Sequence, residues 1–243
     1  MTARDLVTAS PSDVHPDISR PDAPARRPAW WRRVGLAGRL GAALILLMIV
    51  VAVFAPLLAR DAPNAVVLGA TYLPPSPAHW FGTDDLGRDI FARVLYAARV
   101  SLLVGVASVA VGGAIGIPLG LVAGYYPRLD GVIMRLIDIL LAFPGIILAL
   151  AIIAALGTGE QNVIIAVGIF SIPGFTRLGR ASTLVVRELL YVDAVRALGC
   201  SNGRILRATI LPNIAGPLIV QATLRIASAI IVSAGLSFLG LGV

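Results

Sequence analysis

The chain has 243 residues, of which 58% are hydrophobic and 14% are charged. A soluble domain carries about a quarter charged residues, whereas here the uncharged residues form runs long enough to cross a bilayer. We therefore expect an all-α integral membrane protein. The net charge is +7 and all 20 basic residues are arginines. Because these arginines flank apolar segments and do not cluster on one soluble face, nucleic acid is not an expected partner.

The sequence has no pattern typical of catalysis or metal binding. Its two histidines, His15 and His79, are far apart, and Cys200 is its single cysteine. A Ser-His-Asp order, a Walker A loop, an HExxH motif and metal-ligand spacing are all absent. We expect no catalytic group, bound cofactor or metal site in this chain, and we interpret Cys200 as a small packing residue.

Residues 1–35 are predicted to form a disordered cytoplasmic tail, because prolines alternate there with polar and charged residues. Residues 36–58 form the first long apolar run after the arginines that end the tail, with Arg39 near its start, which predicts a transmembrane helix entering from the cytoplasm. A signal peptide is the alternative interpretation. It is disfavoured because the run is long enough to span and no small-residue cleavage site closes it.

Residues 59–99 are predicted to form an external segment with an amphipathic helix capped by Thr83 or Asp84. Acidic and basic residues stand four apart in the favourable order, as Asp84 with Arg88 and as Asp89 with Arg93. Two roles remain open: a scaffold that contacts a partner protein, or a solvated surface helix. The candidate external motif consists of Gly82, Thr83, Asp84, Asp85, Gly87, Arg88 and Asp89.

Four more spans are predicted at residues 100–124, 132–156, 163–179 and 214–236. The second span carries G-x-x-x-G pairs at Gly112, Gly116 and Gly120, which favour close helix packing. In the third span Pro144 predicts a kink, and Arg135 and Asp138 are spaced to form an ion pair.

Arg225 lies near the middle of the predicted fifth span. A charge at this depth costs at least a few kcal/mol on insertion scales, so it is expected to face an aqueous path or a partner subunit.

Residues 180–213 are predicted to form a cytoplasmic loop with two short helices. A helix-compatible run ends at Gly199, the residue type best suited to a left-handed C-cap. Ser201 and Asn202 are placed to cap a second helix, and Pro212 is expected to end it. The loop therefore has the outline of a docking platform on one face of the membrane.

The stretch DAVRALGCSNGRILRATILP, residues 193–212, resembles the EAA loop of type I permease subunits in ATP-binding-cassette (ABC) importers. Asp193, Ala194 and Val195 occupy the E-A-A positions, and Gly199 occupies the glycine position. Three further segments resemble the C-type permease of the dipeptide, oligopeptide and nickel importers: HWFGTDDLGRDIFARVLYAARVSLLVG, MRLIDILLAFPGIILAL and LSFLGLGV. Asp193 replaces the usual glutamate, Val195 an alanine and Thr209 an isoleucine.

The resemblance implies the type I (MetI-like) helical bundle, with five spans present and a sixth missing at the C-terminus, which we interpret as a truncation. It implies a multi-pass permease of the bacterial cytoplasmic membrane that moves dipeptides or oligopeptides; a nickel or glutathione permease of the same family is the alternative. The implied partners are a second permease subunit, two ATPase subunits that use ATP and Mg²⁺, an extracytoplasmic substrate-binding protein and membrane lipid. The chain itself is not expected to be an enzyme.

The resemblance assigns coupling to the ATPase to residues of the cytoplasmic loop, and Arg225 is a candidate pathway residue for a carboxylate-bearing solute. A secondary transporter is disfavoured because the spans show neither repeats nor a carboxylate at mid-membrane. A non-transport scaffold would not need the docking platform. The coupling residues are Asp193, Ala194, Arg196, Ala197, Gly199, Arg204, Leu211 and Pro212.

Overall fold

A computed structural model of the chain describes residues 35–59, 61–67 and 69–241. The described residues contain helices and no strand, which confirms the all-α expectation; nearly all of the predicted tail lies outside them. The chain divides into two compact units, 1–46 and 47–243, and the sites below belong to the second. The helices are α1 (Leu36–Leu58), α2 (Ile90–Tyr125), α3 (Pro127–Leu141), α4 (Gly145–Leu156), α5 (Glu160–Arg187), α6 (Leu190–Ala197), α7 (Asn202–Arg204), a π-helix (Ile205–Ile210) and α8 (Leu211–Phe238).

Four helices of the described residues are long and apolar enough to cross a membrane, or five if a bent pair counts as one span. The first of them, α1, covers the same residues as the predicted first span. The bent pair is α3 and α4, whose axes differ by 85°. Pro144, which has no N–H to donate, occupies the N-cap of α4. The predicted kink at Pro144 is thus a full break in the helix.

Helix α2 begins later than the predicted surface helix and continues without interruption through the second span. Asp89 is its N-cap, and the Asp89 carboxylate accepts a hydrogen bond from the Phe91 N–H at 2.8 Å. The prediction of a separate helix capped by Thr83 or Asp84 is wrong. Gly82 and Gly87 have φ values of 75° and 73°, a left-handed conformation that interrupts any helix, so residues 82–89 form a loop.

The glycines of α2 allow it to approach α5 closely. A Cβ atom placed on Gly116 would lie 2.7 Å from the Ile172 carbonyl oxygen, and one placed on Gly120 would lie 2.6 Å from that of Thr176. Any larger residue would push the two backbones apart. The predicted use of the G-x-x-x-G pattern in packing is confirmed, within the chain and between α2 and α5.

Helix α5 is longer than the predicted fourth span and includes residues 180–187, which the sequence placed in a loop. The arginines in this extension have partners in the chain, so their charges do not force the helix to end. Arg180 pairs with Asp130 of α3, and Arg187 Nη1 donates to the Gly124 carbonyl oxygen at 2.7 Å.

Pro212 does not end the second cytoplasmic helix, contrary to the prediction. The chain continues from α7 through the π-helix into α8, and the Leu211 N–H donates to the carbonyl oxygen of Leu206, five residues earlier. Pro212 is the second residue of α8, directly after the π-helix, and has no N–H to donate. The wider π turn therefore carries the helix past the proline.

Candidate functional site

Helix α6 ends in the glycine turn that the sequence predicts. Gly199 has a φ of 77° and its N–H donates to the Arg196 carbonyl oxygen at 3.0 Å. The Cys200 N–H donates to the carbonyl oxygen of Val195 at 3.4 Å. These two bonds form a Schellman motif, in which only glycine takes the left-handed position without strain.

The second short helix, α7, begins at Asn202 as predicted, but the predicted side-chain cap is not what holds its first turn. The Ser201 carbonyl oxygen accepts from the Arg204 N–H at 2.9 Å, whereas the Ser201 side chain makes no capping bond. The amide oxygen of Asn202 instead accepts from the Tyr125 hydroxyl at 2.9 Å. That bond attaches the start of α7 to the end of α2.

Residues 190–212 have one buried face and one exposed face. Val192, Ile205 and Ile210 each have 0% exposure and belong to the hydrophobic core. Two large apolar side chains point the other way, with Leu190 86% and Leu198 82% exposed. Part of the exposed side of this segment, which we call the outer face, consists of Leu190, Asp193, Ala194, Arg196, Ala197, Leu198, Gly199 and Arg204.

The outer face brings together six of the eight predicted coupling residues. The other two stand apart at the start of α8, where Leu211 packs against the core and Pro212 is exposed. Within the outer face, Arg196 Nη1 donates to Asp193 Oδ1 at 2.6 Å. Arg204 forms no ion pair with any residue that the structure describes.

Two ion pairs between α3 and α5 support this region, and the sequence did not predict them. Arg180 Nη2 donates to Asp130 Oδ2 at 2.6 Å, and Arg177 Nη2 donates to Asp138 Oδ1 at 2.7 Å. The expected pair between Arg135 and Asp138 is therefore wrong. Asp130 and Asp138 are eight residues apart, which places them on one helix face, and that spacing is a signal that points to a shared partner helix.

Arg225 of α8 lies against α5. Its guanidinium carbon is 5.8 Å from the centre of the Phe170 ring, within range of a cation–π interaction. A Cβ atom placed on Gly174 would lie 2.3 Å from Arg225 Nη2, so the glycine makes room for the guanidinium. Among described residues no carboxylate pairs with Arg225.

The external motif forms a tight loop organised by Asp84. Asp84 Oδ1 accepts from the backbone N–H groups of Leu86 and Arg88, each at 2.9 Å, and Asp84 Oδ2 accepts from Arg88 Nε at 2.7 Å and from Arg93. Burial raises the pKa of Asp84, but these hydrogen bonds lower it more, and the net pKa is far below the ordinary value. The predicted Asp84–Arg88 pair is present. The predicted Asp89–Arg93 pair is wrong, since Arg93 binds Asp84.

Close backbone contacts hold the same loop against Val67 and Leu73. A Cβ atom placed on Gly82 would lie 2.4 Å from the Leu73 carbonyl oxygen, and one placed on Gly87 would lie 2.3 Å from that of Val67. Thr83 Oγ1 accepts from the Leu73 N–H at 2.8 Å. The motif therefore builds a folded loop, in which Asp85 is the exposed acid, 3.6 Å from Arg88 Nη2.

Residues 116–243 match the family of binding-protein-dependent transport system inner membrane components. That match covers more than half of the sequence. The chain belongs to this family. The permease is 46% identical over 220 residues to the glutathione transport system permease protein GsiD of Pectobacterium atrosepticum, a match that covers 88% of this chain and 72% of the relative.

Two more relatives are named as peptide permeases. The probable D,D-dipeptide permease DdpC of Escherichia coli K12 is 46% identical over 202 residues, covering 83% of this chain and 68% of the relative. The dipeptide permease DppC of Alkalihalophilus pseudofirmus is 48% identical over 204 residues, covering 84% and 67%. These relatives confirm the resemblance to C-type ABC importer permeases, which are transport proteins and not enzymes.

The fold is similar to that of a chain of the inward-facing MetNI methionine ABC transporter. The TM-score is 0.52 at 22% identity, over 59% of this chain and 72% of that chain. This similarity concerns the fold alone and confirms the expected helical bundle. Together with its apolar helices, the family identifies the permease as a multi-pass inner membrane component of an ABC importer.

Proposed function

We propose that this permease is one of two permease subunits of an ATP-driven importer of peptides or peptide-like solutes. The names of three relatives, permeases for glutathione, D,D-dipeptides and dipeptides, support this solute class. In this proposal the N-terminus is cytoplasmic and an extracytoplasmic binding protein delivers the solute. Two ATPase subunits bind ATP and Mg²⁺, and this chain binds neither.

The outer face is the proposed contact with one ATPase subunit, and its exposure is the observation that carries the proposal. Leu190 and Leu198, each more than four-fifths exposed, add apolar surface to this otherwise polar segment, and exposed apolar patches mark sites where partner proteins bind. Arg204 adds a charge that can pair with an acidic group. The small residues Ala194 and Ala197 allow another helix to approach closely.

Movement of the ATPase subunits reaches the transmembrane helices through the buried face of the same segment. Ile205 and Ile210 are fully buried, and the π-helix that contains them continues directly into α8. The Tyr125–Asn202 hydrogen bond makes a second connection, to α2. Nucleotide-driven closure of the ATPase pair thus biases helices of the pathway, which is the condition for a coupled two-state transition.

The proposal is tested with the chain tagged in its native membrane, by measuring co-purified ATPase activity and uptake of a labelled dipeptide. Leu198→Glu puts a charge into the outer face. It should abolish the co-purified ATPase activity and the dipeptide uptake, while the amount of permease in the membrane stays unchanged. Leu129→Glu is the matched control, because Leu129 is an exposed leucine outside the outer face. Normal uptake by Leu198→Glu would contradict the docking role.

Arg225 is proposed as a pathway residue that attracts the solute carboxylate. Its support is the position near the middle of α8, beside a glycine of α5 and without an acidic partner in the described chain. Competition of dipeptide, glutathione and nickel for uptake identifies which solute of the family this permease carries.

A further inference from the structure

Three side chains from separate parts of the chain converge at the start of α2. They are Asp61, just after α1, His79 in the loop before α2, and Asp89 at its N-cap. One potential ligand atom from each lies within 4.8 Å of the other two. The sequence does not reveal this group, because its members are 10 and 18 residues apart and only the fold brings them together.

The distance between the imidazole and the buried carboxylate fits a shared ion better than a hydrogen bond. His79 Nδ1 is 3.7 Å from Asp89 Oδ2, beyond hydrogen-bond range. Ligands bound to one Zn²⁺ at about 2.0–2.2 Å stand roughly 3–4 Å apart. His79 Nδ1 is buried and has no hydrogen-bond partner in the described chain. A buried polar atom without a partner calls for an explanation, and a metal ion supplies one.

Hydrogen bonds outside the cluster hold two of the ligands in position. The His79 N–H donates to Ser76 Oγ at 3.2 Å, and the His79 carbonyl oxygen accepts from the Ser76 N–H at 2.9 Å. The Asp89 side chain is 5% exposed, and its Oδ1 is occupied by the Phe91 N–H. Asp89 Oδ2 is thereby directed towards His79. Such fixed ligands lower the cost of binding an ion.

A cavity of ≈ 230 Å³ adjoins the cluster and is lined by Asp89, Ala78 and Trp80, among others. It has room for water molecules, which complete the coordination of an ion held by three protein ligands. It also provides a route by which an ion enters.

We propose that Asp61, His79 and Asp89 bind one divalent ion of the Zn²⁺ class, which links the segment after α1 to the start of α2. Zn²⁺ binds both imidazole nitrogen and carboxylate oxygen, whereas Ca²⁺ and Mg²⁺ prefer oxygen ligands alone. The alternative occupant is a proton on His79, which would make the cluster a local ion pair. This site is independent of the transport proposal.

The test uses the purified full chain in detergent, stripped with a chelator, in a Cys200→Ser background that removes the one thiol. We expect one tightly bound Zn²⁺ per chain by elemental analysis, and a visible Co²⁺ absorption band of a site with nitrogen and oxygen ligands. Asp89 also caps α2, so replacing it could disturb the helix as well as the site. The informative variants are therefore His79→Gln and Asp61→Asn, and each should lower the affinity for Zn²⁺ at least tenfold.

Asp85→Asn is the matched control, because Asp85 is an exposed acid of the same loop outside the cluster. His15→Gln controls for the only other histidine. Both variants should bind Zn²⁺ as the parent does. The proposal is overturned if the stripped chain binds no Zn²⁺, if His79→Gln binds it as tightly as the parent, or if Ca²⁺ binds equally well. None of these readouts involves uptake, so failure here leaves the proposed transport function standing.

Discussion

Arg180 and Asp130 join α5 to the first turn of α3 by two parallel hydrogen bonds, of which Nη2 to Oδ2 measures 2.6 Å. The Arg180 side chain is 32% exposed and that of Asp130 is 24% exposed, so the pair is partly shielded from water. A bidentate pair between arginine and a carboxylate fixes the relative orientation of the two side chains and also stabilises the folded state. This pair fixes the start of α3 against α5.

Asp130→Asn should therefore weaken the attachment of α3 to α5. We expect a coupling energy of about 1 kcal/mol in a double-mutant cycle with Arg180→Gln, since the pair is neither fully exposed nor fully buried. Thermal unfolding in detergent measures it. The exposed pair of Arg177 with Asp138 is the comparison and should give less. Equal coupling energies would show that the second hydrogen bond adds nothing.

Gly199→Pro should uncouple transport. Proline holds φ near −65°, whereas Gly199 has a φ of 77°, and the substitution also removes the N–H that donates to Arg196. We expect permease in the membrane with little co-purified ATPase and at least a tenfold loss of dipeptide uptake.

Two controls separate conformation from side-chain bulk at this turn. Gly199→Asn should retain most activity, because asparagine tolerates the left-handed region. Gly203→Ala should also be active, since Gly203 has ordinary helical geometry and open space around it. If Gly199→Pro transported at the parental rate, the glycine turn would have no part in coupling.

Gly116→Val should separate α2 from α5. Its Cβ atom would lie 2.7 Å from the Ile172 carbonyl oxygen, and backbone on both sides cannot yield. Overpacking of this kind costs about 1–3 kcal/mol, which thermal unfolding in detergent detects. Gly216→Ala in α8 is the control: nothing lies within 4 Å, so it should be neutral or slightly stabilising.

Arg225→Met should reduce uptake of a dipeptide with a free carboxylate by about tenfold, the effect of losing one charge-assisted hydrogen bond. Uptake of the same dipeptide with an amidated C-terminus should change little. Thr223→Val, on the same helix, should leave both rates as they are. An equal drop for both solutes would assign Arg225 a structural role beside Phe170 and Gly174.

The loop around Asp84 should keep its structure at pH 4. Because the folded-state pKa of Asp84 is below the ordinary value, ionised Asp84 stabilises the loop above about pH 4, and that stability is lost only as the pH falls through the lower folded pKa. Trp80 fluorescence reports this once Trp30 and Trp31 are replaced by phenylalanine. Asp84→Asn should loosen the loop at every pH; Asp85→Asn should not.

Local chemistry determined the features that the sequence predicted well. The Gly199 turn depends on one residue type in one conformation, and the first span is a long apolar run whose ends coincide with those of α1. The G-x-x-x-G spacing identified a packing face because small residues at that spacing serve few other purposes.

The errors arise where a distant partner overrides a local preference. Arg93 has Asp89 at a favourable helical spacing, yet it binds Asp84, because two left-handed glycines fold the loop back. Asp138 likewise has Arg135 close by in sequence and pairs with Arg177 of another helix. A single sequence shows which charged residues are present, but it does not show the tertiary distances that determine which of them form ion pairs.

The π-helix at Ile205–Ile210 sets the register between the cytoplasmic segment and the membrane. In an α-helix each N–H bonds to the carbonyl oxygen four residues earlier, whereas the Leu211 N–H bonds to that of Leu206, five residues earlier. The π-helix therefore contains one extra residue, and each residue rotates the following helix by about 100° around its axis. Removing a single residue there would keep the outer face intact while turning Arg225 away from Gly174. The number of residues from 205 to 210 therefore determines how the outer face is oriented relative to Arg225.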